Sequence, residues 1–167
     1  MINKIALAGC GNVGTALLEI LHEKRAVLEE KYGFRYEVTL VTDLMKGTVA
    51  DPGGLDLGEL LRCIREDRSF AKLPQTGGTF AELLEISQAT MLAEATPTDR
   101  TTGEPGLTHL KTALAKGVSV TTTNKGPISL AYEELKELAC KNGAKIRCEG
   151  TVMSGTPLIE MVVRGMA

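Results

Sequence analysis

The apolar positions of the chain change their spacing several times, from the period of a strand to that of a helix and back. An apolar run at residues 5–8 has the length of a buried strand. Apolar residues from position 16 to position 28 then recur at roughly helical spacing, with charged residues on the opposite side. This pattern predicts a strand followed by a helix that runs to about Tyr32, where Gly33 supplies a left-handed stop.

The same alternation continues to the end of the sequence. Residues 36–41 are rich in β-branched and aromatic side chains, which favours a second strand. Three later runs also have the composition and length of strands: 89–95, 118–123 and 144–148. Pro97 follows the first of these three runs, and a strand must stop there because proline has no N–H to donate.

Helices are predicted between these strands. Residues 56–59 and 79–82 each have the spacing of a capping box ahead of an apolar stripe, and Pro105 suits the first turn of a third helix. A fourth helix is predicted from about residue 130 to Lys141. Residues 124–127 contain glycine and proline, and we predict that they form the exit loop of the preceding strand.

Strands that alternate with helices at this spacing are typical of right-handed crossover units. The sequence therefore predicts an α/β fold with a doubly wound, mainly parallel sheet of the Rossmann type. A length of 167 residues accommodates one ordinary domain and little more. We assign residues 1–150 to that domain.

Residues 9–14 have the spacing G-x-G-x-x-G and lie directly between the first predicted strand and the first predicted helix. Gly9 lets the backbone turn out of the strand, Gly11 leaves room for a pyrophosphate, and Gly14 lets the helix press against the strand. The free N–H groups at the helix start then face an anion. This context favours a dinucleotide site over a purely structural glycine turn.

Asp43 follows the second strand, where an acidic residue in such folds accepts hydrogen bonds from the adenosine ribose. It comes later than the usual spacing of about twenty residues after the glycines, which a long first helix would explain. A turn-capping role is the alternative. Lys46 would instead meet a 2′-phosphate, so the sequence leaves the choice between NAD and NADP open.

Composition narrows the possible partners. The formal net charge of −2 and a pI near 5.8 argue against a nucleic acid or a membrane surface as partner. Neither a signal peptide nor a run of eighteen apolar residues is present in the sequence. The four cysteines form no C-x-x-C pair and have no metal-ligand spacing to a histidine. We therefore expect a cytoplasmic protein with reduced thiols and a small-molecule ligand.

In a doubly wound sheet, ligands bind at the carboxyl ends of the strands. Residues 96–98 follow one predicted strand, Asn124 and Lys125 follow the next, and Glu149 follows the last. Each of them has a structural explanation on its own, as a cap, a solvated lysine or a surface ion pair. We expect them to converge with residues 9–14 on one rim.

Four segments behind the glycine turn carry a more specific likeness: residues 96–98, 102–107, 123–127 and 149–157. Together they resemble the amino-terminal half of homoserine dehydrogenase, over nearly the whole chain. The last segment is far more selective than the glycine motif. The resemblance implies NAD(P)-dependent interconversion of L-homoserine and L-aspartate 4-semialdehyde, in the biosynthesis of threonine, isoleucine and methionine.

The resemblance also implies roles for single residues. Motif and resemblance together predict the following cofactor contacts: Gly9, Gly11, Asn12, Val13, Gly14, Asp43, Thr96, Pro97, Asn124 and Lys125. Lys125 would stand between nicotinamide and substrate as the catalytic residue of this chain. It would hold the polar end of the substrate or, if burial lowered its pKa, exchange a proton with the reacting oxygen. The family's usual acid–base lysine comes later in the chain, which favours the first role.

The family also binds a monovalent cation, with Na⁺ the expected ion. The resemblance implies that main-chain carbonyls of four residues would be its ligands: Glu149, Val152, Ser154 and Thr156. Ser154 replaces the smaller residue more often found there, but a carbonyl ligand does not depend on the side chain.

Members of this family continue into a domain that grips the substrate and forms a homodimer. We therefore predict that residues 151–167 are a connecting segment and the start of that domain, which is otherwise absent here. Val162, Val163 and Met166 would then form an exposed apolar face. The alternatives are a free-standing nucleotide-binding sensor without catalysis and another amino-acid dehydrogenase with the same cofactor half.

Overall fold

A computed structural model describes residues 2–165 of the chain. The chain divides into two compact units, Met1–Ala93 and Glu94–Ala167. Its six strands form a mostly parallel sheet with helices between them, so the predicted doubly wound α/β class is confirmed. The predicted domain boundary after residue 150 stays a prediction. Met166, one of the three residues of the predicted apolar face, lies outside the described residues.

The first unit begins with the predicted strand, turn and helix. Its elements in chain order are β1 (Asn3–Ala8), α1 (Asn12–Glu23), α2 (Arg25–Tyr32), β2 (Tyr36–Asp43), β3 (Gly47–Ala50), α3 (Leu57–Glu66), α4 (Phe80–Ser87) and β4 (Met91–Glu94). The last residue of β4 belongs to the second unit. The strand order here is β3-β2-β1-β4, with β1 parallel to β2 and β3 antiparallel to β2.

Two features of the first unit differ from the predicted pattern. The single helix predicted up to Tyr32 is broken at Lys24, whose φ of −102° and ψ of 10° are not helical. The fully buried stripe of α1 ends at Leu21, and α2 has no fully buried residue and packs on the core through the partly buried Leu28, so little packing favours a straight continuation. Strand β3 was not predicted. Only Val49 of its four residues is buried, so the segment has no run of apolar positions that would indicate a strand.

The capping box predicted at residues 79–82 is confirmed, whereas at residues 56–59 Asp56 supplies the cap without a reciprocal bond from Glu59 among the described residues. Asp56 caps α3 by accepting the N–H of Glu59 at 3.0 Å. Thr79 and Glu82 form the complete reciprocal capping box at the start of α4. A cap of this kind stabilises a helix by about 1 kcal/mol. The core beneath these helices is made mainly of aliphatic side chains from β1, β2, α1 and α3, together with the fully buried Phe70.

The second unit contains the remaining helices and strands. In chain order they are α5 (Gly106–Ala115), β5 (Ser119–Thr122), α6 (Lys125–Lys141), β6 (Ile146–Arg147), a short 3₁₀ turn (Glu149–Thr151) and α7 (Leu158–Gly165). Strands β5 and β6 are parallel, and α5 packs against α6. Leu110, Leu114 and Leu135 are fully buried and belong to the core of this unit. On α7, by contrast, Val162 and Val163 are both exposed, as predicted.

The predicted loop at residues 124–127 is wrong, because α6 already begins at Lys125. Asn124 is its N-cap, and the side-chain oxygen of Asn124 accepts the N–H of Gly126 at 3.3 Å. Pro127 lies in the first turn of the helix, where its missing N–H has no intrahelical partner to lose. Gly126 is required by packing, since a Cβ there would lie 2.3 Å from the carbonyl oxygen of Asp99.

The cysteines and the hydropathy of the helices concern both units. All four cysteines are free, and two of them, Cys10 and Cys63, are buried. No helix within residues 2–165 is long and apolar enough to cross a bilayer.

Candidate cofactor-binding site

The glycine turn of the first unit has the close packing that its motif predicts. Gly9 has a φ of +88°, which favours glycine, and its N–H donates to the carbonyl of Thr42 at 2.8 Å. A Cβ on Gly14 would lie 2.1 Å from the carbonyl oxygen of Gly9. Only glycine at position 14 therefore allows α1 to start so close to the end of β1.

Helix α1 begins without a side-chain cap among the described residues. Its N-cap is Gly11, and the carbonyl of Gly11 accepts the N–H of Thr15 at 2.9 Å. Asn12 and Val13 in the first turn are exposed. A Cβ built on Gly11 meets no atom within 4 Å, so the space over the turn is open. The turn thus presents the N–H groups of a helix start at an exposed position, and such groups fit the phosphates of a dinucleotide.

Asp43 connects the end of β2 to the glycine turn. Its Oδ2 accepts the N–H of Cys10 at 2.8 Å, and its Oδ1 accepts the N–H groups of Met45 and Lys46 at 3.0 Å each. Burial raises the pKa of Asp43, but these hydrogen bonds outweigh it and hold the pKa below the ordinary value. The turn-capping role is therefore present in the structure, and the ribose contact stays a prediction.

The charge at the glycine turn also depends on two neighbours of Asp43, namely Lys46 and Cys10. The Lys46 ammonium lies 3.9 Å from Asp43 Oδ1, and both side chains are mostly shielded from solvent. Burial raises the pKa of the Cys10 thiol to about 11, so this cysteine carries a proton at neutral pH and contributes no charge. The only full charges immediately at this turn, among the described residues, are therefore those of Asp43 and Lys46.

In the second unit, the ends of β4 and β5 meet through a buried carboxylate. Glu94 is 1% exposed, and its Oε1 accepts both the N–H of Thr96, at 2.9 Å, and the hydroxyl of Thr96. Its Oε2 accepts the hydroxyl of Thr122 at 2.8 Å. The Glu94 side chain therefore fixes the start of the loop that contains Thr96 and Pro97.

Asn124 extends this cluster to the start of α6. Its backbone N–H donates to Thr122 Oγ1 at 2.9 Å, and its Nδ2 donates to Thr96 Oγ1 at 3.3 Å and to the carbonyl of Pro97 at 3.4 Å. Three of the residues at these contacts were predicted to lie at one site, and the structure brings them together: Thr96, Pro97 and Asn124. Lys125 follows Asn124 as the first residue of α6. We call Glu94, Thr96, Thr122 and Asn124 the Glu94 cluster.

Sequence reasoning missed Glu94 and Thr122. Both are the last residues of short strands and lie within apolar or β-branched runs of the sequence. The sequence does contain a signal for Glu94: it is the one charged residue in a mostly apolar predicted strand. A glutamate in such a strand is rarely buried without a partner, so a partner is expected nearby. Lys125, which we did predict, is exposed at the first position of α6. The proton-exchange alternative for Lys125 required burial, which this chain alone does not provide.

The segment predicted to bind a cation is held mainly by its own backbone. The Glu149 carbonyl accepts the N–H of Val152 at 3.3 Å, and the Thr156 carbonyl accepts the N–H of Leu158 at 2.8 Å. Ser154 has a left-handed φ of 53°. The Glu149 carboxylate accepts the N–H of Ile159 at 2.9 Å, so it caps α7 instead of pairing with a surface cation. The carbonyl cation site stays a prediction.

The convergence of Thr96, Lys125 and residues 9–14 on one rim stays a prediction, because each unit is defined by its own contacts. Within residues 2–165, no cluster of three or more His, Cys, Asp or Glu side chains has the arrangement of a metal site.

A strand, a tight glycine turn and an uncapped helix in a mostly parallel sheet define a dinucleotide-binding domain of the Rossmann type. The family model for the homoserine dehydrogenase NAD-binding domain matches residues 9–149. The chain therefore belongs to the family of homoserine dehydrogenase NAD-binding domains.

Individual relatives agree with this assignment. The chain is 40% identical to an NAD(+)-dependent homoserine dehydrogenase from Pseudomonas canavaninivorans, over 98% of this chain and 47% of the relative. It is 30% identical to a homoserine dehydrogenase from Methanocaldococcus jannaschii, over 98% of this chain and 48% of the relative. A hyperthermophilic archaeal homoserine dehydrogenase in complex with NADPH has a similar structure, with a TM-score of 0.82 and 32% identity over 97% of this chain and 48% of that one. The chain thus spans about half the length of these relatives.

Proposed function

We propose that this chain is the cofactor-binding part of a homoserine dehydrogenase, which interconverts L-homoserine and L-aspartate 4-semialdehyde in amino-acid biosynthesis. The observation that carries the proposal is the uncapped start of α1 directly behind β1, where the missing side chain of Gly14 lets the helix approach the carbonyl of Gly9. There the N–H groups of the first turn bind the pyrophosphate of the cofactor. Family membership supports the assignment, and the activity belongs to the full-length protein.

Asp43 selects the cofactor. With its lowered pKa it is ionised at neutral pH, so it accepts hydrogen bonds from ribose hydroxyls and repels a 2′-phosphate. Lys46 offsets this repulsion only in part, because its ammonium already lies beside the same carboxylate. NAD is therefore the preferred cofactor, and tighter binding of NADPH than of NADH would overturn this preference.

The second unit contacts the nicotinamide end of the cofactor through Thr96 and Pro97. A bound nicotinamide supplies hydride transfer to or from the substrate. Lys125 is exposed at the start of α6, and its ammonium holds the polar end of the substrate. Asn124 fixes the backbone on which Lys125 stands, through its contacts to Thr96, Pro97 and Thr122.

Three further parts of the proposal concern the full-length protein. It binds Na⁺ through the carbonyls of Glu149, Val152, Ser154 and Thr156, and equal activity in sodium and choline salts would contradict this site. It forms a homodimer, which sedimentation would detect. It works in the cytoplasm, where the four free cysteines stay reduced, and its isolation from an oxidising compartment would contradict that location.

The pyrophosphate site is tested by replacing Gly11 with alanine. A Cβ at position 11 meets no protein atom within 4 Å, so Gly11→Ala should fold, with a loss of stability of up to about 1 kcal/mol because alanine is a poorer N-cap than glycine. The same Cβ fills the space proposed for the pyrophosphate, and the affinity for NADH should fall by about tenfold or more. The affinity is measured by titration of NADH fluorescence, and NADPH is titrated in parallel.

Gly77→Ala is the matched control, because a Cβ on Gly77 also meets nothing within 4 Å and Gly77 lies in an unrelated loop of the same unit. It should leave both stability and affinity unchanged. If Gly11→Ala binds NADH as tightly as the unmodified chain, the cofactor does not bind at this turn. If the unmodified chain binds neither NADH nor NADPH, the proposed function fails.

A further inference from the structure

Glu94 is an ionisable side chain in the protein interior, where charged groups are rare. It is 1% exposed, and its neighbours Thr122 and Asn124 are 2% and 1% exposed. An isolated buried carboxylate is costly unless hydrogen bonds compensate for its lost hydration. Three hydrogen bonds do so here, and their donors are one backbone N–H and two hydroxyls, all neutral groups.

The direction of these hydrogen bonds indicates the charge state of Glu94. Asn124 donates its N–H to Thr122 Oγ1 and its Nδ2–H to Thr96 Oγ1. Each threonine hydroxyl therefore accepts from Asn124 and directs its own proton to a Glu94 oxygen. A carboxyl group that accepts at both oxygens and donates at neither makes the hydrogen bonds of a carboxylate, so among the described residues the Glu94 cluster encloses a negative charge without a cationic hydrogen-bond donor. His109 interacts electrostatically with Glu94, but burial lowers the pKa of its imidazole, which disfavours a compensating positive charge there.

The packing of α5 supports an arrangement built around this cluster. Gly106 is the first residue of α5, and a Cβ there would lie 2.5 Å from Asn124 Nδ2 and 3.2 Å from Glu94 Oε2. Glycine at this position lets the helix start come close to the carboxylate and to the amide together. Glu94 is thus enclosed by β4, β5, α5 and the N-cap of α6.

We propose that the buried negative charge of Glu94 makes the site bind the oxidised cofactor more tightly than the reduced one. The proposal rests on the proposed function, in which Thr96 and Pro97 contact the nicotinamide. The oxidised nicotinamide ring carries a positive charge, and the reduced ring carries none. A fixed negative charge in a poorly solvated site therefore stabilises the oxidised form selectively.

A purely structural role for Glu94 makes a different prediction. If Glu94 only held Thr96 and Asn124 in place, its loss would weaken the binding of both redox forms to a similar extent. A charge effect changes the ratio of the two affinities. That ratio is equivalent to a shift in the reduction potential of the bound cofactor, and it is measurable without any catalytic turnover.

The experiment measures the dissociation constants of NAD⁺ and NADH for the chain and for four variants, by calorimetry and by fluorescence. Glu94→Gln and Glu94→Met remove the charge and keep a side chain of similar length. Either neutral variant should weaken NAD⁺ relative to NADH by roughly fivefold to tenfold. Glu94→Asp keeps the charge, so its ratio should stay close to that of the unmodified chain even if both affinities fall.

Glu104→Gln is the matched control. The Glu104 carboxylate accepts the N–H and the hydroxyl of Thr108, at 3.1 and 2.9 Å, so it makes the same kinds of contact as Glu94 does with Thr96. Glu104 is exposed, and solvent screens its charge. The affinity ratio should therefore not change in this variant.

The outcomes separate this inference from the proposed function. An equal loss of NAD⁺ and NADH affinity in a folded neutral variant would overturn the charge effect while leaving the cofactor site intact. Where neither neutral variant folds, a change of fivefold or more in the ratio for Glu94→Asp would overturn it as well. Absence of binding to the unmodified chain would instead refute the proposed function.

Discussion

Asp43 holds the turn after β2 against the glycine turn, through hydrogen bonds to its carboxylate from Cys10, Met45 and Lys46. These bonds favour the ionised form, and the pKa is lower in the folded chain than the ordinary value of 3.8. The stabilisation is therefore complete above that ordinary value. It is lost as the pH falls through the lower pKa of the folded state, because the unfolded chain takes up the proton first.

Asp43→Asn tests this dependence on pH. At neutral pH the variant should be less stable by about 1–2 kcal/mol, since hydrogen bonds to a charged group are stronger than those to an amide. The difference between the two proteins should shrink as the pH is lowered below 3.8. Urea unfolding at several pH values measures it, and a difference that does not depend on pH would show that the carboxylate charge is not what stabilises the turn.

Single residues of the site differ in how well the sequence predicts them. Gly9, Gly11 and Gly14 are predictable because each has a separate steric task at fixed spacing. Glu94 is not, because its role depends on Thr122 and Asn124, which lie far from it in sequence and close to it in space. The spacing of apolar residues shows which side of a helix or strand is buried. It does not show hydrogen bonds between polar side chains that are distant in sequence.

At the scale of elements, the contact between α1 and β1 depends on one missing side chain. A Cβ on Gly14 would lie 2.1 Å from the carbonyl oxygen of Gly9, which belongs to the backbone and cannot rotate away. Gly14→Ala should therefore move the start of α1 and destabilise the first unit by about 2–3 kcal/mol. Gly11→Ala, with an open space at its Cβ, should lose at most about 1 kcal/mol, as the poorer N-cap.

Chemical denaturation of the two variants measures the contrast. Alanine favours a helix more than glycine does, by up to about 1 kcal/mol, so helix propensity alone would make Gly14→Ala more stable. A loss of stability therefore reports the steric contact directly. Equal or greater stability of Gly14→Ala would mean that α1 and β1 do not approach each other as described.

The errors in predicting elements have a common cause. Residues 124–127 were predicted as a loop from Gly126 and Pro127, yet both suit a helix start when Asn124 caps it and Asp99 approaches Gly126. Strand β3 was missed because its pairing with β2 supplies the stability that its four residues lack. In both cases tertiary contacts override local propensity.

At the scale of the whole molecule, the chain spans only part of the length of its relatives, and this bears on whether it can catalyse a reaction as well as bind a cofactor. It covers 47% of the Pseudomonas relative and 48% of the archaeal structure with NADPH, over nearly its own full length. Binding of a cofactor needs only the groups around one site. Hydride transfer also needs a substrate held against the nicotinamide in reactive geometry, and that positioning accounts for a large part of catalysis.

We therefore expect the 167-residue chain to bind NADH and to oxidise homoserine at least roughly a thousandfold more slowly than a protein of the relatives' full length. The rate is followed by the appearance of NADH absorbance under saturating NAD⁺ and homoserine. A chain extended by the coding sequence downstream of codon 167 serves as the comparison. Activity that appears only with the extension supports a dehydrogenase whose substrate is held elsewhere, whereas robust turnover by the chain alone would contradict it. A native stop directly after codon 167 would instead favour the cofactor sensor, since such a chain binds NADH with no second half to position a substrate.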